Sequence, residues 1–240
     1  MNTHIDSAHS LDGAFGRVVR AEQHFSELVG RIEALRQEQY DAIAWELDLE
    51  RPGEVRVSRT KYVLVPLLFS ILVGEICYNL RAALEYLIFE LARLDFGQVQ
   101  NGTQFPIEDR PKNFAGNGHR RLVGLNARHI AAMELLQPYN GCNWTRLLRD
   151  ISNPDKHRSL SFAQGGFELE AYPAADRLRF LNLPGKVSSA RHPVTGVEMH
   201  VQTNLTLEIQ FSDGTPVVPT LEKIKTQVAA TLEAFKTDFK

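Results

Sequence analysis

Cysteine is almost missing from this chain. Cys77 and Cys142 are the only two in 240 residues, 65 positions apart and in no CxxC or Cys/His spacing. That excludes a disulfide-stapled scaffold and leaves no zinc module to argue for. The opening residues, MNTHIDSAHS, carry neither the basic start nor the apolar run of a secretory signal, so a cytoplasmic location is expected. Long hydrophobic runs are lacking too. The longest, Val63–Val73, has eleven residues and includes Pro66 and Ser70, whereas a bilayer-spanning helix needs roughly 20. A buried core helix is expected there, and no membrane partner. Sixteen glycines and eleven prolines are too few for a collagen-like or low-complexity chain. The net charge of −2 gives no overall excess of either sign. What remains is an ordinary globular composition, 43% apolar and 23% charged, with ample apolar surface for a core.

Residues 1–13 read as a frayed terminus, and 14–240 as a single α+β domain. From Ala14 to Gln39, Val18, Ala21, Phe25, Leu28, Ile32 and Leu35 recur in steps of 3, 4, 3, 4 and 3, one stripe of an amphipathic helix. Two and a half heptads favour packing of this stripe inside the fold, and it also suits a short coiled-coil dimer, so a homodimer is one expected assembly. The period then changes to two. Ile43, Trp45, Leu47 and Leu49 alternate with polar or small residues, Pro52-Gly53 supplies a turn, and Val55 and Val57 resume the alternation. This predicts a β-hairpin over 43–60. A long central helix opens near Pro66, where a missing N–H costs nothing, and runs to about Leu94. Ile76, Leu80, Leu84, Leu87 and Leu91 share its core face. Shorter helices are expected over Ala127–Leu136 and Asn143–Ile151. After Gln164-Gly165-Gly166 the pattern turns β-rich: Phe167–Tyr172, Leu178–Leu183, Val197–Thr203 and Leu205–Phe211, the last two bending near Asn204. A final helix starts at Thr220, with Leu221, Ile224, Val228, Leu232 and Phe235 inward. The fold class is therefore α+β: a helical region about 14–160, a segregated antiparallel sheet about 165–212, and a C-terminal helix over 220–237.

The near-zero charge conceals an uneven distribution. Residues 1–50 are net −6 and residues 110–158 net +6, with His119, His129 and His157 in the basic part. A concentrated basic segment is the footprint of a polyanionic partner such as RNA, because each neutralised phosphate releases counterions. Scattered solvated charges, or pairing of Arg110, Lys112, Arg120 and Arg121 with the acidic first helix, fit the same composition. No helix-turn-helix, RNP aromatic pattern or zinc finger specifies how nucleic acid would be held.

The most chemically loaded stretch is Arg146 to Arg158. Ser152 or Asn153 before Pro154 reads as a cap followed by a first-turn proline. That places Asp155, Lys156 and His157 in the first turn of a new helix, where free backbone N–H groups favour anions. Lys156, Arg158 and Arg149 are the expected anion-binding residues. Asp155 caps the turn or orients a neighbour. His157 among cations has its charged form disfavoured, which suits a general acid/base. A capped turn with a hydrogen-bonded histidine accounts for the same residues without chemistry. The central helix supplies a supporting polar set, Glu75 and Asn79 one turn apart, and Arg81 and Glu85 at i,i+4 spacing. Arg81 lies about 160° round the wheel from Asn79, so an unbroken helix cannot aim both at one ligand. Arg17 and His24 share a face of the first helix. No P-loop, nucleophile elbow or HExxH is present, Gly116-Asn-Gly118 lacks a third glycine, and neither a metal nor an organic cofactor is expected.

The stretches Asn79–Leu87 (NLRAALEYL) and Asn153–Arg158 (NPDKHR) resemble a bacterial and phage-associated family that reads HNLRSALDHL followed much later by NNIDKHR. Gln104–Ile107 and Leu136–Tyr139 are similar as well, so the likeness covers roughly residues 64–160. It implies no particular activity. A looser likeness is to the HEPN superfamily, helical proteins that include metal-independent ribonucleases with Arg, four to six residues, then His. Here Arg81 is followed after four residues by Tyr86 in place of histidine. Arg149 and His157 are separated by seven residues, one too many, whereas Arg17 and His24 are separated by six. Two functions are therefore expected. One is a non-catalytic anion- or nucleic-acid-associated binding or regulatory protein. The other is a HEPN-like ribonuclease or other phosphodiester-directed enzyme with His157 as acid/base.

Overall fold

Thirty consecutive residues rich in Ala, Glu, Arg and Gln form the first helix, α1 (Asp12–Asp41), which these residue types favour intrinsically. Its start is marked by the Ser10 hydroxyl, which accepts from the Asp12 N–H at 3.0 Å. The computed structural model describes residues 10–47, 55–59, 64–98, 100–152, 161–163, 167–173, 186–191, 195–205 and 208–239. After α1 come β1 (Ile43–Leu47), β2 (Val55–Arg59), α2 (Leu67–Phe96) and α3 (Pro111–Asn113), which passes into a π-helical turn over Phe114–Gly118. Then follow α4 (Ala127–Leu135), a 3₁₀ turn at Pro138–Asn140, α5 (Asn143–Ser152), β3 (Ser161–Ala163) and β4 (Phe167–Pro173). β5 (Lys186–Arg191), β6 (Glu198–Leu205), β7 (Glu208–Gln210), α6 (Val217–Phe235) and a 3₁₀ turn at Lys236–Phe239 are the remaining described elements. The class is α+β. Two compact units are present: residues 1–28, 67–159 and 217–240 form the helical one, and 29–66 with 160–216 the β-rich one. The hairpin, expected in the helical part, belongs to the second.

In the helical unit, α2 is the central element. Ile76, Leu80, Leu84, Leu87 and Leu91 are fully buried as their spacing predicts, and Cys77, Ala83, Ile88 and Ala92 are buried beside them. The buried surface is wider than one stripe because α2 meets α1 as well as α5 and α6. Each large side chain so buried contributes about 1.5–3 kcal/mol. α2 is long and apolar enough to cross a bilayer on length and composition alone, but half of its most apolar window is buried inside the protein. It stops at Gly97, whose φ of +75° suits a glycine and whose N–H donates to the Arg93 carbonyl at 2.9 Å.

α1 runs antiparallel to α2: Gly13 lies by Tyr86, Arg17 by Asn79, and His24 by Glu75. It is also antiparallel to α6, where Lys225 pairs with Glu22 and sits over the Phe25 ring, and Lys236 sits over Phe15. On α6, Leu221, Ile224, Val228, Leu232 and Phe235 face the core.

The loop after α2 is held from two sides. Arg81 Nε meets Glu85 Oε1 at 2.7 Å, Arg81 Nη2 donates to the Phe105 carbonyl at 2.5 Å, and Glu85 Oε2 accepts from the Phe105 N–H at 2.6 Å. From the other side the buried Gln137 amide donates to the carbonyls of Pro106 and Met133 and accepts from the Glu108 N–H. The NLRAALEYL, QFPI and LQPY stretches thus meet at one backbone segment.

The β-rich unit contains the second half of α1 and three small antiparallel sheets among its described residues. β1 and β2 pair from Ile43↔Arg59 to Leu47↔Val55. Among the described residues this hairpin forms a sheet of its own. The turn at 52–53 lies outside the described residues. β6 lies between β4 and β5, and β3 pairs with β7. Met199 and Val201 on β6, with Ile209 and Phe211, are buried. β3 and β5 were not legible in the sequence, since β3 has three residues and KVSSAR lacks apolar alternation. The expected strand Leu178–Leu183 lies outside the described residues.

Candidate nucleic-acid interface

Asp155, Lys156, His157 and Arg158, together with Asn153 and Pro154, lie outside the described residues. Ser152 is still part of α5. Its hydroxyl donates back to the Leu148 and Arg149 carbonyls at 2.6 and 3.3 Å, so its side chain is spent on α5 itself. Arg149 is already occupied by acids. Its Nη1 donates to Asp109 at 2.8 Å, and its Nε and Nη2 both donate to Asp150 at 3.1 Å. Burial alone would lower its pKa, but the bonds to Asp109 and Asp150 outweigh that and raise it. Arg146 approaches the same Asp109 at 3.5 Å.

The polar set expected on α2, Glu75, Asn79, Arg81 and Glu85, divides into two pairs. Arg81 and Glu85 serve the Phe105 backbone. Glu75 and Asn79 face α1, where His24 Nδ1 meets Glu75 Oε2 at 3.2 Å and Arg17 Nη1 donates to Asn79 Oδ1 at 3.3 Å. Asn79 is itself fixed, donating to the Glu75 carbonyl at 2.8 Å. The Arg17 guanidinium carbon also lies 6.0 Å from the centre of the Tyr78 ring and 5.7 Å from that of Tyr86. His24 itself is buried, its side chain 10% exposed against 49% for that of Glu75. Shared face and seven-residue spacing made Arg17 and His24 visible in the sequence. Their partners on α2 required the antiparallel packing.

The basic middle of the chain is sorted by the fold. Arg121 pairs with Glu108, Arg128 with Asp238, and Arg146 and Arg149 with Asp109. Arg110, Lys112 and Arg120 are exposed, and none of the ion pairs among the described residues engages them. They lie with exposed His119 on α3 and the π-helical turn, a segment from 110 to 121 that contains no acidic residue. Phe114 anchors this turn. It is buried, with the rings of His119 and Tyr139 edge-on at 5.3 and 6.5 Å. Gly118 lets the turn close on that ring, since a Cβ there would sit 2.9 Å from Phe114 Cδ2.

His129, the remaining histidine of the segment, is structural. Buried between two carboxylates, it meets Asp95 through Nδ1 at 2.7 Å and Asp238 through Nε2 at 3.4 Å. Asp95 also accepts from the backbone and side chain of Asn126, the cap of α4. No group of side chains suited to holding a metal ion occurs among the described residues. Comparison with known proteins yields no family: no family model matches the chain, and no curated protein or solved structure matches it.

Proposed function

We propose that this protein is a non-catalytic RNA-binding protein that takes the phosphate backbone on the 110–121 segment of its helical unit. The carrying observation is the sorting of cations: Arg121, Arg128, Arg146 and Arg149 pair with carboxylates, whereas Arg110, Lys112 and Arg120 stand exposed on a segment without acids. Unpaired cations held on an anchored turn release counterions from a phosphodiester strand at little cost in ordering. A second reading has its own observation. The His24–Glu75 pair, beside Arg17 with its six intervening residues as in HEPN-like ribonucleases, fits metal-independent cleavage. There the His24 imidazole would take the proton of a ribose 2′-hydroxyl as its oxygen attacks the adjacent phosphorus, and the 5′-oxygen would leave as its bond to phosphorus breaks, taking a proton from solvent water.

One experiment separates them. Fluorescence anisotropy with a labelled single-stranded RNA, from 50 to 200 mM salt in EDTA, is expected to show salt-dependent binding with the RNA recovered intact. Replacing Arg110, Lys112 and Arg120 together by alanine is expected to reduce the slope of log K against log salt by about 2, at roughly 0.7 per single-strand phosphate contact. A triple variant that binds as the wild type overturns the proposed interface. RNA cut by the wild type but not by His24→Ala establishes the second reading instead.

A further inference from the structure

Tyr78 and Tyr86 are large aromatic side chains on the outside of α2, 64% and 40% exposed. They lie eight residues apart, and α1 places the Arg17 guanidinium against both rings. The two ring centres are therefore within about 12 Å of each other, one on 6.0 Å and the other on 5.7 Å from a single carbon. The arrangement is held from behind. Asn79 accepts from Arg17. Gly13 lets the Tyr86 ring lie against the first turn of α1, where a Cβ would come within 3.0 and 3.1 Å of Cδ1 and Cε1.

We infer that Tyr78, Arg17 and Tyr86 form a stacking platform for unpaired nucleobases, so that the protein selects single-stranded over duplex nucleic acid. This rests on the RNA-binding reading but uses a different surface of the helical unit. An exposed tyrosine ring gives a base a flat apolar face, and such stacking is indifferent to sequence. A guanidinium between two rings pairs with a phosphate on the strand that joins the stacked bases, while only one of its five N–H donors is committed to Asn79. Bases inside a duplex are stacked on each other and present no free face, so the same platform gains nothing from double-stranded RNA.

The test is a binding comparison on the full chain with four labelled 12-mers: single-stranded RNA, single-stranded DNA, duplex RNA, and an abasic RNA that keeps every phosphate. The wild type is expected to bind the single strands of RNA and DNA more tightly than the duplex, and the abasic strand more weakly than either. Tyr78→Ala and Tyr86→Ala are each expected to weaken single-strand binding about fivefold or more, the lower end for loss of one base–aromatic stack. Tyr78→Phe and Tyr86→Phe keep a flat ring and should bind as the wild type. Gly13→Ala, which favours the helix but displaces the Tyr86 ring, should weaken binding in the same direction as Tyr86→Ala. Equal affinity for abasic and normal strands, or alanine variants that bind as the wild type while the Arg110/Lys112/Arg120 variant loses binding, overturns the platform and leaves the RNA-binding reading standing. A wild type that binds none of the four overturns both.

Discussion

Cys77 illustrates how a single residue's surroundings decide its chemistry. It is fully buried on α2, and that burial pushes its thiol up from 9.0 to about 12. A thiol so held stays protonated at neutral pH and is neither nucleophile nor metal ligand. Cys142 is partly exposed, with its Sγ donating to the Leu135 carbonyl at 3.3 Å. A disulfide-exchange reagent at pH 8 is therefore expected to titrate one thiol in the native protein and two in urea. The same burial makes stability depend on pH. As pH rises the unfolded thiol loses its proton near 9 while the folded one keeps its own to about 12. The unfolded state thus binds fewer protons across that window, and stability falls by about 1.4 kcal/mol per pH unit. Urea melts at pH 8, 9 and 10 should show a steeper loss for the wild type than for Cys77→Ala. Parallel curves would mean that the thiol is not held protonated by the fold.

At the scale of elements, periodicity carried most of the information. The apolar stripe of α1 and the core faces of α2 and α6 were legible because a helix returns to the same side every three or four residues whatever it packs against. Pairings between distant segments were not legible, and these include Asp95 with His129, Asp109 with Arg149, and Glu75 with His24. Nothing local to either partner encodes the other. The candidate site was affected most. Glu75, Asn79, Arg81 and Glu85 were recognisable as a polar set, yet α1 takes the first two and the loop at Phe105 takes the others. An i,i+4 pair on a helix surface is worth about 0.3–0.5 kcal/mol. Glu85 also accepts the Phe105 N–H and completes the hold of Arg81 on the Phe105 carbonyl. Glu85→Ala leaves a backbone donor unsatisfied and is expected to cost about 2 kcal/mol in urea unfolding, with Glu85→Gln milder. A loss below about 0.5 kcal/mol would reduce the clamp to an ordinary surface pair.

At the scale of the whole chain, the helical unit is assembled from three separated stretches, 1–28, 67–159 and 217–240. Its core can close only when the last stretch has been made. α6 brings six apolar core side chains, Val217, Leu221, Ile224, Val228, Leu232 and Phe235. At about 1.5–3 kcal/mol each, their combined loss is comparable to the 5–15 kcal/mol by which domains are typically stable. A chain ending before Val217 is therefore expected to leave the helical unit unfolded. The final 3₁₀ turn contributes on a smaller scale, through Asp238, which meets His129 at 3.4 Å and Arg128 at 3.0 Å. Both ring nitrogens of His129 face carboxylates, so removing Asp238 leaves a buried ring with one partner, Asp95. Deleting residues 236–240 should therefore cost about 1–3 kcal/mol and lower the melting temperature by about 2–4 °C for each kcal/mol. The helical circular dichroism should stay near that of the full chain, because α6 itself is retained. A deletion that melts with the full chain would show that α6 docks without its terminal turn. One that loses helix as the shorter truncation does would make the Asp95–His129–Asp238 contact a condition of folding.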